Sequence, residues 1–366
     1  MAFLRVVRQK VLVPAAMALC VLVVFGCAAP AAPAPTAAPA KQAAPAPTAE
    51  PAKQAAPAPT KAPEKAAAPA EKYPARPIDF IVPWGAGGGA DQLARKLGGL
   101  AEKELGVALP VLNVAGATGG TGAAKLLAAP ADGYSIAVYI ADSHANVASG
   151  AAAYSHKDFA PVIRAQLMPS FYFVKADSPY KTWADLEAYA KANPEKLRVG
   201  ITGEGSLDEV TTAYIGSKGV KLNPVPYPNP GERYAALLGG HTELLYEQAG
   251  DVRQYLSSGE IRPLIIFSEK RMPEFKDVPA SKELGYEIFL PQFRSIVAKK
   301  GTDPARVKVL ADAFKKVTQT PDWATFAKEQ YMTEDSFMGP EEVTAFLDRE
   351  YETMVTLMKQ LGLKTK

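Results

Sequence analysis

Cysteine is almost missing from this chain of 366 residues. Cys20 and Cys27 are the only two, and everything after residue 27 is free of thiols. The body can therefore form no disulfide, present no thiol nucleophile and build no cysteine–zinc site. Histidine is nearly as scarce: His144, His156 and His241 are too few and too scattered for most histidine-based metal sites. The formal charge of +3 is uneven: residues 1–26 carry +3 (Arg5, Arg8, Lys10), residues 28–72 carry +2, and the remainder from Tyr73 carries −2. A faintly acidic body without a basic stripe argues against a nucleic-acid surface. Long hydrophobic runs are also lacking. The one at residues 11–25 is interrupted by Pro14 and falls short of the roughly 20 residues a membrane span needs. With 48% apolar and 22% charged residues, the composition is that of a globular chain, not a collagen, coiled coil or polytopic membrane protein.

What is present at the N-terminus reads as an address. A basic start followed by an apolar run is the pattern of a secretory signal. It ends Val24-Phe25-Gly26-Cys27, which resembles a bacterial lipoprotein box. The expectation is a signal peptide over 1–26, lipid on the Cys27 sulfur and a body outside the cytoplasmic membrane; an uncleaved anchor is the alternative. Residues 28–72 are almost entirely Ala, Pro, Lys, Gln, Thr and Glu, and the decapeptide at 39–48 recurs at 51–60. With no large apolar residue this stretch cannot offset its ordering entropy. Its prolines favour an extended chain of ~3.1 Å per residue, so the segment 27–72 is expected to act as a disordered tether reaching at most roughly 140 Å.

From Tyr73 the pattern alternates strand and helix. Apolar runs at 78–82, 109–114 and 134–140 are separated by glycine-rich turns and helical stripes, a βαβαβ order that implies a parallel sheet with helices on its faces. The pattern restarts with predicted strands at 171–174, 197–201, 225–227, 242–246, 262–267 and 295–298. Thr182-Trp183-Ala184-Asp185 and Ser206-Leu207-Asp208-Glu209 are capping boxes. Asp303-Pro304 is an N-cap followed by proline at the first helical position. The expectation is an α/β fold of two lobes, 73–174 plus 294–366 and 175–293, with a ligand cleft between them.

Two turns carry the chemistry. The first is Pro83-Trp84-Gly85-Ala86-Gly87-Gly88-Gly89-Ala90-Asp91; the second is Ala115-Gly116-Ala117-Thr118-Gly119-Gly120-Thr121-Gly122. Each joins a strand to a helix. Glycine lets consecutive N–H groups face one concavity, and a helix N-terminus adds about half a positive charge. Such turns can hold a carboxylate or phosphate without a cationic side chain. In a parallel sheet both emerge at the strands' carboxyl ends, where open α/β sheets bind ligands. Enzyme signatures are missing: there is no P-loop lysine, no Gly-x-Ser-x-Gly elbow and no His-Glu-x-x-His. Residues 85–90 fit a dinucleotide fingerprint only loosely, and no cofactor or metal is expected. Ser143 beside His144, Ser206 with Asp208, and Glu247 are what an exported enzyme would have to use.

Together these residues resemble the substrate-binding proteins of tripartite tricarboxylate transporters, the Bug or TctC family. The likeness runs through Tyr73-Pro74, Pro77-Ile78, the loop to Asp91, Asn113 to Gly122, Pro130-Ala131-Asp132-Gly133-Tyr134, Val225-Pro226-Tyr227, Leu237-Leu238-Gly239-Gly240 and Pro291-Gln292-Phe293-Arg294. It implies a type II periplasmic-binding-protein fold whose lobes close on a small carboxylate and deliver it to a membrane permease. A sensor for a membrane signalling partner would look the same. Carried over, the ligand residues are Trp84, Gly85, Ala86, Gly87, Gly88, Gly89, Ala90 and Asp91 on one loop. Gly116, Ala117, Thr118, Gly119, Gly120 and Ser143 follow, with Thr202, Gly203, Ser206, Glu247 and Gln248 on the facing lobe. A monomer is expected. Ala90 stands where the family usually has Thr, and Glu247-Gln248 where Asp-Asn is commoner. Glu204, Asp208 and Glu209 replace mostly small or hydroxylic residues. These acids admit a ligand ammonium or, at a helix start, are solvated charges favoured by the dipole.

Overall fold

The computed structural model describes residues 72–366; the expected signal peptide, Cys27 and the expected tether lie outside them. The chain order is β1 (Asp79–Val82), α1 (Gly89–Leu105), β2 (Val111–Asn113), α2 (Gly120–Ala128), β3 (Ser135–Ile140), α3 (Ala141–Ala148), β4 (Phe159–Met168), β5 (Phe171–Lys175), α4 (Trp183–Ala192) and β6 (Arg198–Ile201). It continues α5 (Leu207–Ser217), β7 (Asn223–Pro226), α6 (Pro230–Leu238), β8 (Leu244–Glu247), α7 (Arg253–Ser257), β9 (Ile261–Ile266), β10 (Gln292–Lys299), α8 (Pro304–Thr318), α9 (Pro321–Glu329) and α10 (Pro340–Gln360).

The strands form two sheets, β2-β1-β3-β10-β4 and β7-β6-β8-β5-β9. In each, the central βαβ strands are parallel, Phe80 pairing with Val111 and Ile136 in the first and Val199 with Leu244 in the second. One strand in each runs against its neighbours, β10 in the first and β5 in the second. The expected two-lobed α/β fold is present. The crossing into the second lobe comes earlier than Lys175. The segment 171–175 pairs with β8 and β9, so the chain changes sheet at Pro169-Ser170. Packing explains this: Phe171 and Phe173 join Leu245 and Ile266 in the second lobe's own core.

Local signals place most elements. Thr182 accepts from Asp185 N at 3.2 Å while Asp185 accepts from Thr182 N at 2.8 Å, the reciprocal box expected at the start of α4. Before α5 the box is shifted by a residue: Glu209 reaches Gly205 N at 2.6 Å instead of Ser206 N. Helices α1 and α8 cover one face of the first sheet, burying Leu93, Leu97, Leu310 and Phe314 against Phe80, Val138 and Ile296. Each such side chain contributes about 1.5–3 kcal/mol when fully buried. A second core runs beneath both sheets, from Tyr139 and Val297 to Tyr172 and Val199, and Phe293 and Phe346 stack edge-to-face within it at 5.1 Å.

Five elements were not expected from the sequence: β4, α3, α6, α7 and α9. Strand β4 carries Arg164 and Gln166 inside an otherwise apolar run, yet both are buried; Arg164 Nε donates to the Ser336 carbonyl at 3.0 Å. Helix α3 is buried at all eight positions, so it has no amphipathic stripe to read. Helix α6 starts at Pro230, with proline at its first helical position.

Candidate functional site

The carboxyl ends of the parallel strands in both sheets meet at a cavity of about 40 Å³, room for roughly two or three waters. The first lobe lines it with Trp84, Gly89, Ala90, Ile140, Asp142, Gln292 and Arg294, the second with Thr202, Asp208, Pro230, Arg233, Tyr234, Tyr246, Glu247, Gln248 and Asp251.

The first glycine turn reaches this cavity through its last residues. Gly88 N-caps α1 without any side-chain hydrogen bond, leaving that end of the helix to backbone donors. A side chain on Gly89 would overlap the Asp251 carboxylate and Arg294 Nη2, and a Cβ on Gly88 would lie 2.6 Å from Pro230 Cγ. Glycine here is what lets the opposite lobe approach the helix start. Asp91 works inside the turn. It accepts from Gly87 N (3.0 Å), Asn113 Nδ2 (3.0 Å) and Arg95 Nε (3.0 Å). Burial works against its charge, but the bonds from Arg95, Gly87 and Asn113 outweigh that and hold it below the usual carboxylate range. Ala86 and Gly87 are exposed, and Gly85 packs against Asn229.

The second turn stands off the cavity. Its backbone is left-handed through Ala117 (φ 49°), Thr118 (φ 48°) and Gly119 (φ 87°), and the N–H groups of Gly119 and Thr121 both donate to the Gly116 carbonyl. They close the turn. Thr118 bridges the lobes, its Oγ1 3.3 Å from the Glu204 carbonyl, which also accepts from Asn146 at 3.3 Å. Gly120 opens α2. Ser143 and Gly119 line a separate small void within the first lobe, beside Tyr154. Gly203 lies across from Thr118, and Ser206 caps α5 and bonds to Asp208.

The electrostatics rest on residues the sequence reading passed over. Arg233, on α6, pairs with Glu247 at 2.6 Å and also donates to the Tyr227 carbonyl at 3.0 Å; Tyr234 donates to the same Glu247 oxygen at 3.0 Å. Burial opposes the Arg233 charge, yet Glu247 beside it raises its proton affinity further. Arg294 pairs with Asp251 from the opposite lobe and donates to Gln166 at 2.9 Å and Gln248 at 3.2 Å. Asp142, on α3, accepts from Gln292 at 2.6 Å and, across the cleft, from Leu207 N at 3.2 Å. Asp208 accepts from Thr202 N at 2.6 Å. Burial, then Asp208, push the Asp142 carboxyl up to about 7. Burial also raises Asp208 and lifts Asp251 to about 6 despite Arg294. Three N–H donors on cavity-lining residues, Trp84 Nε1, Arg233 Nε and Arg294 Nε, are buried without a partner.

A signal for the missed residues existed. Period two puts Gln292 and Arg294 on one face of β10, and a lone arginine in so apolar a strand must find a partner. Among the described residues, no group of three or more His, Cys, Asp and Glu is placed to hold a metal ion, and no helix is long and apolar enough to cross a membrane.

Residues 93–363 match the family model described as the tripartite tricarboxylate transporter family receptor. The chain belongs to this family. It is 33% identical over 304 residues to the "UPF0065 protein in gbd 5'region" of Cupriavidus necator, covering 80% of this chain and 90% of that one. It is 30% identical to Protein BugT of Bordetella pertussis, covering 81% and 93%. Among solved structures, a TctC solute binding protein from Polaromonas is 32% identical, with a TM-score of 0.59 over 79% of this chain and 99% of that one. Two Rhodopseudomonas palustris proteins share the fold, one with adipate (24% identical, TM-score 0.74, 80% and 99% covered) and MatC with bound malate (23%, 0.72, 78% and 99%). As a member of this receptor family, the chain is an extracytoplasmic solute-binding protein.

Proposed function

We propose that this receptor captures a small carboxylate between its lobes and delivers it, by lobe closure, to the membrane permease of a tripartite transporter. The observation that carries this reading is the seat of Asp251. Its carboxylate, presented by the second lobe, lies against Gly89 at the start of α1 and pairs with Arg294. A helix N-terminus with an adjacent guanidinium is a place for an anion, and the chain itself puts one there. A ligand carboxylate entering the open cleft would take the place of Asp251 on these donors. The unpartnered N–H groups of Trp84, Arg233 and Arg294 give an incoming carboxylate further partners. Adipate and malate in the two fold neighbours are ligands of this class.

The ligand set in this reading is Trp84, Gly89, Ala90, Thr202, Glu247 and Gln248 with Arg233 and Arg294. The loop 116–120 and Gly203 act as interlobe contacts. Closure couples to binding because each lobe supplies part of the cavity. The chain acts as a monomer, tethered through lipid on Cys27. Radiolabelled lipid incorporation that is lost in Cys27→Ala tests the anchor.

A thermal-shift screen against di- and tricarboxylates, aromatic carboxylates and amino acids tests the binding reading. A ligand at ~100 times its Kd should add ~2.7 kcal/mol of stability, a shift of several degrees. Scattering with that ligand should report the lobe arrangement. No shift across the library would sink the proposal.

A further inference from the structure

We propose that the ligand carries a cationic nitrogen as well as its carboxylate, and that Asp142 and Asp208 hold that nitrogen between the lobes. This rests on the receptor reading above and narrows its ligand to amino carboxylates.

Charge around the cavity is unbalanced. Four carboxylates line it, Asp142, Asp208, Glu247 and Asp251, against two guanidiniums. Both guanidiniums are already taken: Arg233 pairs with Glu247 and Arg294 with Asp251. Asp142 and Asp208 are left without a paired cation, at 4% and 1% exposure. Arg233 attracts both, but its ion pair is with Glu247; burying carboxylates that lack an ion pair of their own is costly, and two close together raise the cost further. Their hydrogen bonds come from Gln292 and Leu207 N on Asp142 and from Thr202 N, Glu209 N and the Ser206 hydroxyl on Asp208, all of them neutral donors.

Placement gives the pair a function. Asp142 stands at the start of α3 in the first lobe and Asp208 in the first turn of α5 in the second. The Leu207 N to Asp142 bond ties the starts of the two helices across the cleft, so opening the lobes would part the two aspartates. Closure without a cation brings like charges together. Closure on a cation replaces that repulsion with two attractions, so the ligand's charge itself favours the closed state. A second observation points to a ligand with both signs. Arg233 lines the same cavity at 5% exposure, and its Nε–H has no partner. It calls for an acceptor beside the place where the two aspartates call for a cation.

The test needs no variant to begin with. Titration calorimetry of the full chain compares pairs that differ in one amino group, aspartate with succinate, glutamate with glutarate and lysine with 6-aminohexanoate, and adds cadaverine, which is lysine without its carboxylate. Within the dicarboxylate pairs, the amino member should bind at least ~10-fold tighter, a gap of ~1.4 kcal/mol. Asp142→Asn and Asp208→Asn should each shrink that gap to a few-fold. Equal or tighter binding of the des-amino acids would overturn the cation site while leaving the carboxylate receptor standing. Cadaverine binding with no carboxylate binding would keep the cation site and overturn the carboxylate reading. No binding by any compound would overturn both.

Discussion

The loops at residues 83–88 and 115–119 share a recipe, each rich in glycine, each leaving a parallel strand and entering a helix of the first lobe. Their backbones use it differently. The first keeps Gly88 and Gly89 bare so that Pro230, Asp251 and Arg294 can press against the start of α1. The second coils left-handed and spends its N–H groups on its own Gly116 carbonyl. Glycine in the first serves close approach by another lobe; in the second it serves the turn's own φ angles. A glycine-rich turn after a strand therefore marks a place where backbone is crowded or bent. Only the groups that crowd it, here a carboxylate and a guanidinium, say that it can receive an anion.

Removing the group that distinguishes the two loops should have the largest effect. Arg294→Ala leaves Asp251 buried at the α1 start without its partner; breaking such a pair costs about 3–5 kcal/mol, and Tm should fall by roughly 10 °C in thermal melts. Carboxylate affinity should fall with it. Next in size is a matched pair of glycine substitutions. Gly89→Ala puts a methyl group where Asp251 and Arg294 sit, so closure is blocked and ligand affinity should drop at least tenfold, with scattering profiles staying open. Gly119→Ala forces φ 87° on a residue with a side chain, 2.7 Å from Ser143 Oγ. It should lower stability by about 1–3 kcal/mol and leave affinity within a few-fold. If the two variants exchange these phenotypes, the division of labour between the loops is wrong.

Much of the fold was legible because its signals are local. The Thr182–Asp185 box, the Asp303-Pro304 start of α8 and the βαβ alternation are each decided within a few residues. Strand β4 was hidden because Arg164 and Gln166 break its apolar run, and what satisfies Arg164 is the carbonyl of Ser336, 172 residues away. The cavity divides the same way. Trp84, Gly89, Ala90, Thr202, Glu247 and Gln248 were reachable through motifs. Arg294 was read only as part of a motif, because its partner Asp251 is 43 residues distant on the other lobe. Asp142 was overlooked beside Ser143 because α3 has no polar face to contrast with an apolar one.

The two loops also predict different pH responses. Asp142 and Asp251, gathered at the first loop's cavity, have folded-state values of about 7 and about 6 against an ordinary 3.8. The folded state then binds more protons than the unfolded one between about 4 and 7, so stability falls as pH rises through that window. Asp91, inside the turn, is shifted downward and acts oppositely: its contribution is present above about 4 and lost as pH falls below it. Stability should peak near pH 4–5, and Asp142→Asn should flatten the decline between pH 5 and 7 in chemical denaturation.

The smallest effect is expected at Glu204, opposite the second loop. Its side chain is exposed, while its carbonyl receives Thr118 and Asn146. The contact between the second loop and the facing lobe thus runs through backbone, which a side-chain truncation keeps. Glu204→Ala should change stability by no more than about 0.5 kcal/mol and leave the affinity for amino carboxylates unaltered. A tenfold loss there would move the cation partner from the Asp142–Asp208 pair to Glu204, and would give the second loop the direct role in ligand binding that its closed hydrogen bonds argue against.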